Sequence, residues 1–212
     1  MKIFLDFDDT LFDTKTFGEH FRRVFDAHGI PRDVQISTAA ILKDGSVGGW
    51  YDPGRHMALL GEVCTFDHAE LRAGIEVFLR ETKQFLFPEA ADFLAQMKAR
   101  GCTLCILSYG DEDFQMRKIR GTGIEHFFHK IIVTTEDKAS ALEGELGGDR
   151  DIWFIEDRVH YIANVKKAWP RIRTVLMCQK NRRYHDVPDD LCDFVAADFR
   201  ETVQIFTGVQ PL

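Results

Sequence analysis

Hydrophobic residues along the chain fall into short unbroken runs. Four of these runs are followed at once by a polar side chain: residues 3–5 before Asp6, 104–107 before Ser108, 131–133 before Thr134 and 152–155 before Glu156. Strands that are apolar on both faces are typical of parallel sheets covered by helices on both sides. Residues 174–177 predict a fifth strand, and residues 194–196 a short strand at the edge. The pattern therefore predicts the parallel sheet of an α/β protein.

Segments with helical character separate most of the predicted strands. Residues 112–120 are polar and compatible with a helix, and Gly121 and Gly123 then provide a stop. Residues 88–100 begin with Pro88, carry an apolar stripe and are followed by Gly101. Strands that alternate with helices in this way predict a doubly wound parallel sheet, a Rossmann-like core.

The stretch between the first two predicted strands has a different character, because it contains no comparable apolar run. Apolar residues instead recur at helical spacing near both of its ends, at Phe17, Phe21 and Phe25 and at Leu71, Ile75 and Leu79. This pattern predicts an α-helical module inserted into the α/β core. We expect the core to comprise residues 1–14 and 87–212, and the inserted module residues 15–86.

The composition indicates a globular protein without affinity for polyanions. The 212 residues are 45% hydrophobic and carry a net charge of −7, so general attraction to nucleic acid or anionic lipid is not expected. We find no pattern of a signal peptide or a membrane span, and we expect a cytoplasmic protein, monomeric or homodimeric. Cys102 and Cys105 lie an odd number of residues apart within a predicted strand, so their thiols should point to opposite faces.

Acidic side chains collect where the predicted strands end. Asp6 and Asp8 follow the first strand, and Glu156 and Asp157 lie at the end of the fourth. In open parallel sheets the carboxyl ends of the strands form the ligand-binding edge. Neighbouring carboxylates repel one another unless a cation binds them, and Mg²⁺ prefers such oxygen ligands. The sequence therefore predicts a magnesium site at this edge.

Four sequence motifs occur in a characteristic order over nearly the whole chain outside the inserted module. They are "IFLDFDDTLFDT", "LCILSYG", the lysine of "TTEDKASAL", and "IWFIEDR". In this order they resemble the motifs of the haloacid dehalogenase-like superfamily. Many members of that superfamily carry a helical cap between the first and second motifs, where this chain has its inserted module. The resemblance thus implies an α/β core with a helical cap.

The resemblance also implies roles for the acidic residues. Asp6 corresponds to the nucleophile that becomes a transient aspartyl-phosphate, and Asp8 to the general acid and base. Members that cleave carbon–halogen bonds do not use an acid at this second position, so Asp8 favours phosphate esters. The family's Mg²⁺ would be held by Asp6, by the backbone carbonyl of Asp8, and by the fourth-motif pair Glu156 and Asp157.

Other matched positions would bind the phosphoryl group. The residues expected there are Thr10, Ser108, Tyr109, Gly110 and Lys138. Lys130 is a rival to Lys138, but it precedes its strand and should lie at the opposite end of the sheet. Asp13 is expected to cap the helix that follows the first motif.

Two further groups of residues have open roles at this stage. Candidates for contact with the substrate's leaving group lie in the cap, at Trp50, Tyr51, Arg55 and His56, although the aromatic residues could equally pack the cap's own small core. The basic residues Lys180, Arg182 and Arg183 follow the fifth strand and are interpreted as a solvated loop. The alternative for this basic group is a role in binding an anionic substrate.

Together these features predict a Mg²⁺-dependent phosphatase that acts on a small phosphorylated metabolite. One alternative is a phosphomutase, which would use the same phosphorylated aspartate but return the phosphoryl group to a sugar. Another is a non-catalytic binding or regulatory protein that retains the fold. The intact set of Asp6, Asp8, Ser108 and Lys138 argues against this last alternative.

Overall fold

A six-stranded parallel sheet forms the centre of the protein in the computed structural model, which describes residues 1–44 and 49–208. The strands are β1 (Lys2–Leu5), β2 (Thr103–Tyr109), β3 (Lys130–Thr134), β4 (Ile152–Glu156), β5 (Arg173–Met177) and β6 (Phe194–Ala196). Their spatial order is β3-β2-β1-β4-β5-β6, and every neighbouring pair is parallel. Each predicted apolar run lies within one of these strands, which confirms the predicted sheet.

Helices cover both faces of this sheet. The helices of the core are α5 (Ala90–Ala99), α6 (Glu112–Thr122), α7 (Lys138–Ala141), α8 (Val159–Ala168) and α9 (Phe199–Thr207). Helices α5, α6 and α9 bury their apolar sides in one cluster with Ile3 and Leu5, whereas α7 and α8 pack in a second cluster with Phe4. The alternation of β1 residues between two clusters confirms a doubly wound α/β fold.

The two cysteines of the C-x-x-C sequence belong to different faces, as predicted. Cys105 is buried in the cluster of α7 and α8, whereas Cys102 packs against the other cluster. All five cysteines are free thiols.

Four helices follow β1 and form the inserted segment. They are α1 (Thr14–Ala27), α2 (Arg32–Lys43), α3 (Pro53–Val63) and α4 (His68–Leu79). The apolar stripes expected near its ends are buried in α1 and α4, and these two helices pack against each other. Asp13 accepts a hydrogen bond from the backbone N–H of Thr16 at the start of α1, which confirms it as the helix cap.

The two chain segments that join this insert to the core run side by side. The backbone N–H of Asp13 donates to the carbonyl of Phe85 at 2.7 Å, and that of Phe87 donates to Leu11 at 3.0 Å. These bonds lie next to the two boundaries expected at residues 14 and 87. The division into two domains stays a prediction, and the paired segments are the place where such a cap would hinge.

The helix predicted from residue 88 begins two residues later, at Ala90. Glu89 has a φ of 67°, which lies in the left-handed region and is incompatible with the right-handed helix that follows. Within the described residues, no helix combines the length and the apolar character that crossing a membrane requires.

Candidate active site

The acidic residues of the first and fourth motifs meet because their strands are neighbours in register. Leu5 at the end of β1 lies beside Ile155 of β4, and the backbone N–H of Asp6 donates to the carbonyl of Ile155 at 2.9 Å. The residues that follow this pair are both acids: Asp6 comes after Leu5, and Glu156 comes after Ile155. Connections leave in opposite directions between β1 and β4, and crevices at such points bind ligands in open α/β sheets.

Lys138 is the buried counter-charge of these acids. Its Nζ lies 2.5 Å from Oδ1 of Asp6 and 2.5 Å from Oε2 of Glu156, and its side chain is 1% exposed. Burial alone would lower the pKa of Lys138, but the two carboxylates outweigh it and raise the pKa above its ordinary value. Lys130 instead pairs with Glu145 at the start of β3, so the structure brings Lys138 and not Lys130 into the site.

Three carboxylates gather around this single lysine. Oxygen atoms of Asp6, Glu156 and Asp157 lie within 4.8 Å of one another, and Oδ2 of Asp157 is buried without a hydrogen-bond partner in the part of the chain that the structure describes. Burial and the charge of Glu156 raise the pKa of Asp6 to about 8 and that of Asp157 well above its usual range. Such an excess of buried negative charge, with an oxygen left unpaired, fits a hard divalent cation such as Mg²⁺.

The carboxylate of Asp8 lies apart from this cluster and is held by hydrogen-bond donors. It accepts bonds from Oγ1 of Thr14 at 2.6 Å, from Nε2 of Gln115 at 2.7 Å, and from Nζ of Lys118 at 2.6 Å. Burial would raise the pKa of Asp8, but Lys118 and Arg183 outweigh that effect and hold it below its usual range. The side chain of Asp8 is thus held by donors outside the acid cluster.

Lys118 is buried in an aromatic cage. Its side chain is 3% exposed. Its Nζ lies between 5.2 and 5.5 Å from the ring centres of Phe7, Phe12, Phe17 and Phe114. Ring faces attract a cation at this distance, and the cage leaves Asp8 as the anionic partner of the lysine. Lys118 therefore fixes the position of the Asp8 carboxylate.

The end of β2 forms another wall of the site. Tyr109 and Gly110 line the cavity above the acids. Ser108 is fully buried, and its Oγ accepts a hydrogen bond from Nε2 of Gln115 at 3.1 Å, which places the hydroxyl behind the wall and not on it. Thr10 is also fully buried, its Oγ1 has no partner among the described residues, and it does not line the cavity. Neither hydroxyl is among the described groups that line the cavity, and the contacts of Thr10 and Ser108 with a phosphoryl group stay a prediction.

The basic loop after β5 is only partly solvated, so the interpretation as a solvated loop is wrong for Arg182, whereas the side chain of Arg183 is 34% exposed. Arg182 is buried and donates to the backbone carbonyls of Met177 and Tyr184. Arg183 lines the cavity, and its Nε lies 2.5 Å from Oδ2 of Asp9. Asp9 has a φ of 60°, a strained left-handed conformation that this ion pair helps to hold.

A cavity of about 700 Å³ extends from the acids into the inserted helices. Trp50, Tyr51 and His56 line it, whereas Arg55 lies over the Trp50 ring, 5.9 Å from its centre, without lining the cavity. Tyr51 also packs edge-on against Phe21 of α1, so it contributes both to the cavity wall and to the packing of the inserted helices. The volume is in the range of sites for small organic ligands.

A family model described as haloacid dehalogenase-like hydrolase matches residues 3–159, well over half of the chain. The chain belongs to the haloacid dehalogenase-like hydrolase family. The hydrolase is 39% identical to a phosphoserine phosphatase from Thermus thermophilus over 62 residues, 29% of this chain and 25% of the relative. It is 28% identical to a glyceraldehyde 3-phosphate phosphatase from Methanothermobacter thermautotrophicus over 145 residues, 63% of this chain and 62% of the relative. The matches therefore span less than two thirds of either relative's length.

Solved structures share the fold of this hydrolase. A haloacid dehalogenase-like hydrolase from Burkholderia xenovorans has a TM-score of 0.77 at 20% identity, over 100% of this chain and 98% of that one. The magnesium-bound HAD-hydrolase YfnB from Bacillus subtilis has a TM-score of 0.66 at 20% identity, over 96% and 97%. An L-2-haloacid dehalogenase from Xanthobacter autotrophicus has a TM-score of 0.65 at 15% identity, over 99% of both chains. At these identities the similarity shows the fold alone.

Sequence reasoning missed three residues of the hydrolase's site: Gln115, Lys118 and, as a site residue, Arg183. A signal for the first two was present in α6, where the buried residues include Phe114, Gln115, Lys118 and Ile119. A lysine on the apolar side of an amphipathic helix needs a buried anion to balance it. No comparable signal marks Arg183, because its loop has no regular pattern.

The metal-free hydrolase is expected to lose stability as the pH rises from about 4 to about 8. Burial raises the pKa of Asp6 to about 8, so in this range the folded protein holds protons that the unfolded chain has released. The free energy of unfolding then falls with rising pH, and bound Mg²⁺ should flatten the dependence. Urea titrations across this range, with EDTA or with Mg²⁺, measure the slope. A metal-free free energy of unfolding that rises through the range would contradict the assignment.

Replacing Lys118 by methionine is expected to lower kcat by at least about 10-fold. The change removes the cationic partner of Asp8 and keeps most of the packing volume. General acid–base groups contribute about 10² to 10⁴ in rate, so a misplaced Asp8 should slow turnover. The measurement is steady-state kinetics on the best substrate. Arg117→Met is the matched control, since Arg117 is the neighbouring residue of α6 and pairs instead with Glu76 and Asp113. Equal kcat values for the two variants would show that Lys118 does not act on Asp8.

Proposed function

We propose that this hydrolase is a Mg²⁺-dependent phosphatase that removes the phosphoryl group from a small phosphorylated metabolite. The observation that carries the proposal is the position of the Asp6 carboxylate, which borders the cavity between Lys138 and the pair Glu156 and Asp157. A nucleophilic carboxylate beside fixed positive charge and an acid cluster suits attack on phosphorus.

In the first step, an oxygen of Asp6 attacks phosphorus, and the bond from phosphorus to the ester oxygen breaks. Asp8 gives its proton to the departing alcohol, and Lys138 balances negative charge near the nucleophile. Lys118 and Arg183 favour the ionised form of Asp8 in the empty site, and the charges of a bound phosphoryl group oppose them, so we assign the protonated form to the substrate complex.

In the second step, Asp8 takes a proton from a water molecule, which attacks the phosphorus of the aspartyl-phosphate. Inorganic phosphate leaves, and the carboxylate of Asp6 is restored. Asp6, Glu156, Asp157 and the backbone carbonyl of Asp8 would hold Mg²⁺, which when bound offsets charge on the phosphoryl oxygens.

The proposal is tested by phosphate release from a panel of phosphate monoesters, with Mg²⁺ and with EDTA. The panel includes phosphoserine and glyceraldehyde 3-phosphate, the substrates in the names of the two relatives, together with sugar phosphates and nucleotides. We expect release from at least one ester, loss of release in EDTA, and recovery with excess Mg²⁺. Release that persists in EDTA, or none from any ester, would contradict the proposal and, in the second case, favour a non-catalytic role.

A phosphomutase would use the same Asp6 chemistry and differ in the acceptor of the phosphoryl group. Adding sugar phosphates to the phosphorylated enzyme separates the two functions, because a phosphatase transfers to water at an unchanged rate. Cleavage of carbon–halogen bonds is the activity in the name of one structural neighbour, the L-2-haloacid dehalogenase. Incubation with 2-chloropropionate should release no chloride, since an acid at position 8 suits an alkoxide leaving group and not a halide.

A further inference from the structure

Among the described residues at the cap end of the cavity, the end lined by Gln35 and Trp50, one buried hydrogen-bond acceptor has no partner. Gln35 lines the cavity and is 1% exposed. Its Nε2 donates to Oδ1 of Asp26 and to the backbone carbonyl of Ile30, both at 2.8 Å, which fixes the orientation of the amide. Its Oε1 has no hydrogen-bond partner among the described residues. Buried acceptors normally have a hydrogen-bond donor, and a ligand in the cavity would supply the N–H or O–H group for this oxygen.

The other polar groups near Gln35 already bond to each other. Oη of Tyr51 lies 2.8 Å from Nδ1 of His56, and Nε2 of His56 lies 2.9 Å from Oγ1 of Thr38. Thr38 in turn donates to the carbonyl of Val34 at 2.7 Å. Because the hydroxyl hydrogen of Thr38 is donated to that carbonyl, Nε2 of His56 donates to Oγ1 of Thr38, and Nδ1 of His56 accepts from Oη of Tyr51. A leaving group with many hydroxyls would therefore find few free partners at this end.

Apolar aromatic and aliphatic side chains form the rest of the wall at the cap end. The lining residues there are Phe25, Ile36, Ala39, Ala40 and Trp50 in addition to the polar ones. Aromatic and aliphatic walls of this kind favour planar, weakly polar groups. No Asp, Glu, Lys or Arg is among the described residues that line this end.

The basic residues of α1 belong to the opposite, catalytic end. Lys15 is next to Thr14, which donates to Asp8. Arg22 folds back along α1, because its Nη1 would lie only 3.7 Å from a Cβ at Gly18. Lys15 thus lies on the side where a phosphoryl group would bind, Arg22 extends toward that side, and the described residues that line the cap end offer no other cation to a second anionic group.

We propose that the leaving group of the substrate is an aromatic alcohol that carries an uncharged N–H or O–H donor, and that this donor binds Oε1 of Gln35. The inference rests on the proposed phosphatase function and specifies its substrate class. It excludes leaving groups with a distal carboxylate or phosphate, and polyhydroxylated sugars, as the preferred substrates.

The kinetic test compares three matched esters, 2-phenylethyl phosphate, 2-(4-hydroxyphenyl)ethyl phosphate and the methyl ether of the latter, and adds the 3-hydroxy isomer as a fourth compound. We expect kcat/KM for the hydroxyl compound to exceed that of the other two by about 10-fold or more, the scale of one hydrogen bond to a buried acceptor. The 3-hydroxy isomer covers the second position from which the ring could reach Gln35. A preference for phosphoserine or a sugar phosphate over all the aromatic esters would overturn the proposal.

The variant Gln35→Met keeps the length of the side chain and removes the acceptor, so the preference for the hydroxyl compound should fall to within about 2-fold. Asp26→Asn is the matched control, because it alters the group that orients Gln35 and retains Oε1, and its preference should persist. A preference that survives in Gln35→Met would show that the donor binds elsewhere.

Binding of the free alcohols provides a readout that does not depend on hydrolysis. In ligand-observed NMR titrations we expect 2-(4-hydroxyphenyl)ethanol to bind the wild-type protein more tightly than 2-phenylethanol, and Gln35→Met to remove the difference. If no ester is hydrolysed but this difference is present, the proposed function fails and the assignment of the cap end stands. If esters are hydrolysed and the two alcohols bind equally, the assignment of the cap end fails.

Discussion

Replacing Asp6 by asparagine is expected to lower kcat by about 10⁴-fold or more, on the scale of losses seen when a catalytic nucleophile is removed. The amide cannot form the aspartyl-phosphate, while its size preserves the contacts at the end of β1. Folding should survive, because burial raises the pKa of Asp6 to about 8, so the metal-free protein holds this side chain largely uncharged at neutral pH, as the amide is. The measurements are phosphate release and thermal unfolding in EDTA, in which Tm should stay equal or rise.

Asp13→Asn is the matched control for this variant. It makes the same chemical change seven residues along the chain, at the cap of α1, where asparagine caps a helix about as well as aspartate. We expect its kcat to stay within about 2-fold of wild type. Asparagine preserves the cap of α1, so the substitution should change the free energy of unfolding by little and leave the site in place. Turnover by Asp6→Asn that matches this control would rule out Asp6 as the nucleophile.

Replacing Lys138 by methionine is expected to destabilise the metal-free fold by about 3–5 kcal/mol and to remove activity. The substitution leaves the carboxylate of Glu156 buried without its cation, and loss of one partner of a buried ion pair has this order of cost. Because a divalent cation would bind this carboxylate together with those of Asp6 and Asp157, Mg²⁺ should restore part of the stability without restoring activity. Urea unfolding at neutral pH, with EDTA and with Mg²⁺, measures both effects.

Lys130→Met is the control for this prediction. Lys130 is 49% exposed in its pair with Glu145, and pairs at the surface contribute about 0–1 kcal/mol. Its loss should change neither the stability nor the rate appreciably. Similar losses of stability in the two variants would contradict the assignment of Lys138 as the buried counter-charge.

The sheet and the positions of the motif residues could be predicted from the sequence because both depend on local patterns. An apolar run such as residues 152–155 is buried on both faces only in a covered parallel strand. The polar residue after such a run then lies at the carboxyl edge, whatever the details of packing. For that reason the sequence alone predicts Asp6 and Glu156 at one edge, whereas Lys138 is assigned to that edge by the resemblance of its motif.

The partners of Asp8 could not be predicted, because they depend on contacts between distant segments. Gln115 and Lys118 lie more than a hundred residues from Asp8 along the chain. Their side chains reach it only through the way α6 packs beside the first motif. Arg183 reaches Asp9 from a loop of irregular structure, where no periodicity reveals which side chains turn inward.

The cap residues show a third kind of outcome. The sequence left open whether the aromatics pack the cap core or line a cavity, and Tyr51 does both. No sequence pattern marks Gln35 as a binding residue, because a glutamine near the start of a helix is usually a surface residue. Its importance arises from two hydrogen bonds that use its amide nitrogen and leave its oxygen unpaired.

Trapping the phosphorylated enzyme tests the central claim most directly. The hydrolase is mixed with its best substrate and Mg²⁺, quenched in acid within one turnover, digested, and analysed by peptide mass spectrometry. The account predicts a phosphoryl group on Asp6 in the N-terminal peptide, absent from Asp6→Asn and longer-lived in Asp8→Asn. Rapid turnover with no phosphorylated peptide, or with the phosphoryl group on another residue, would contradict it.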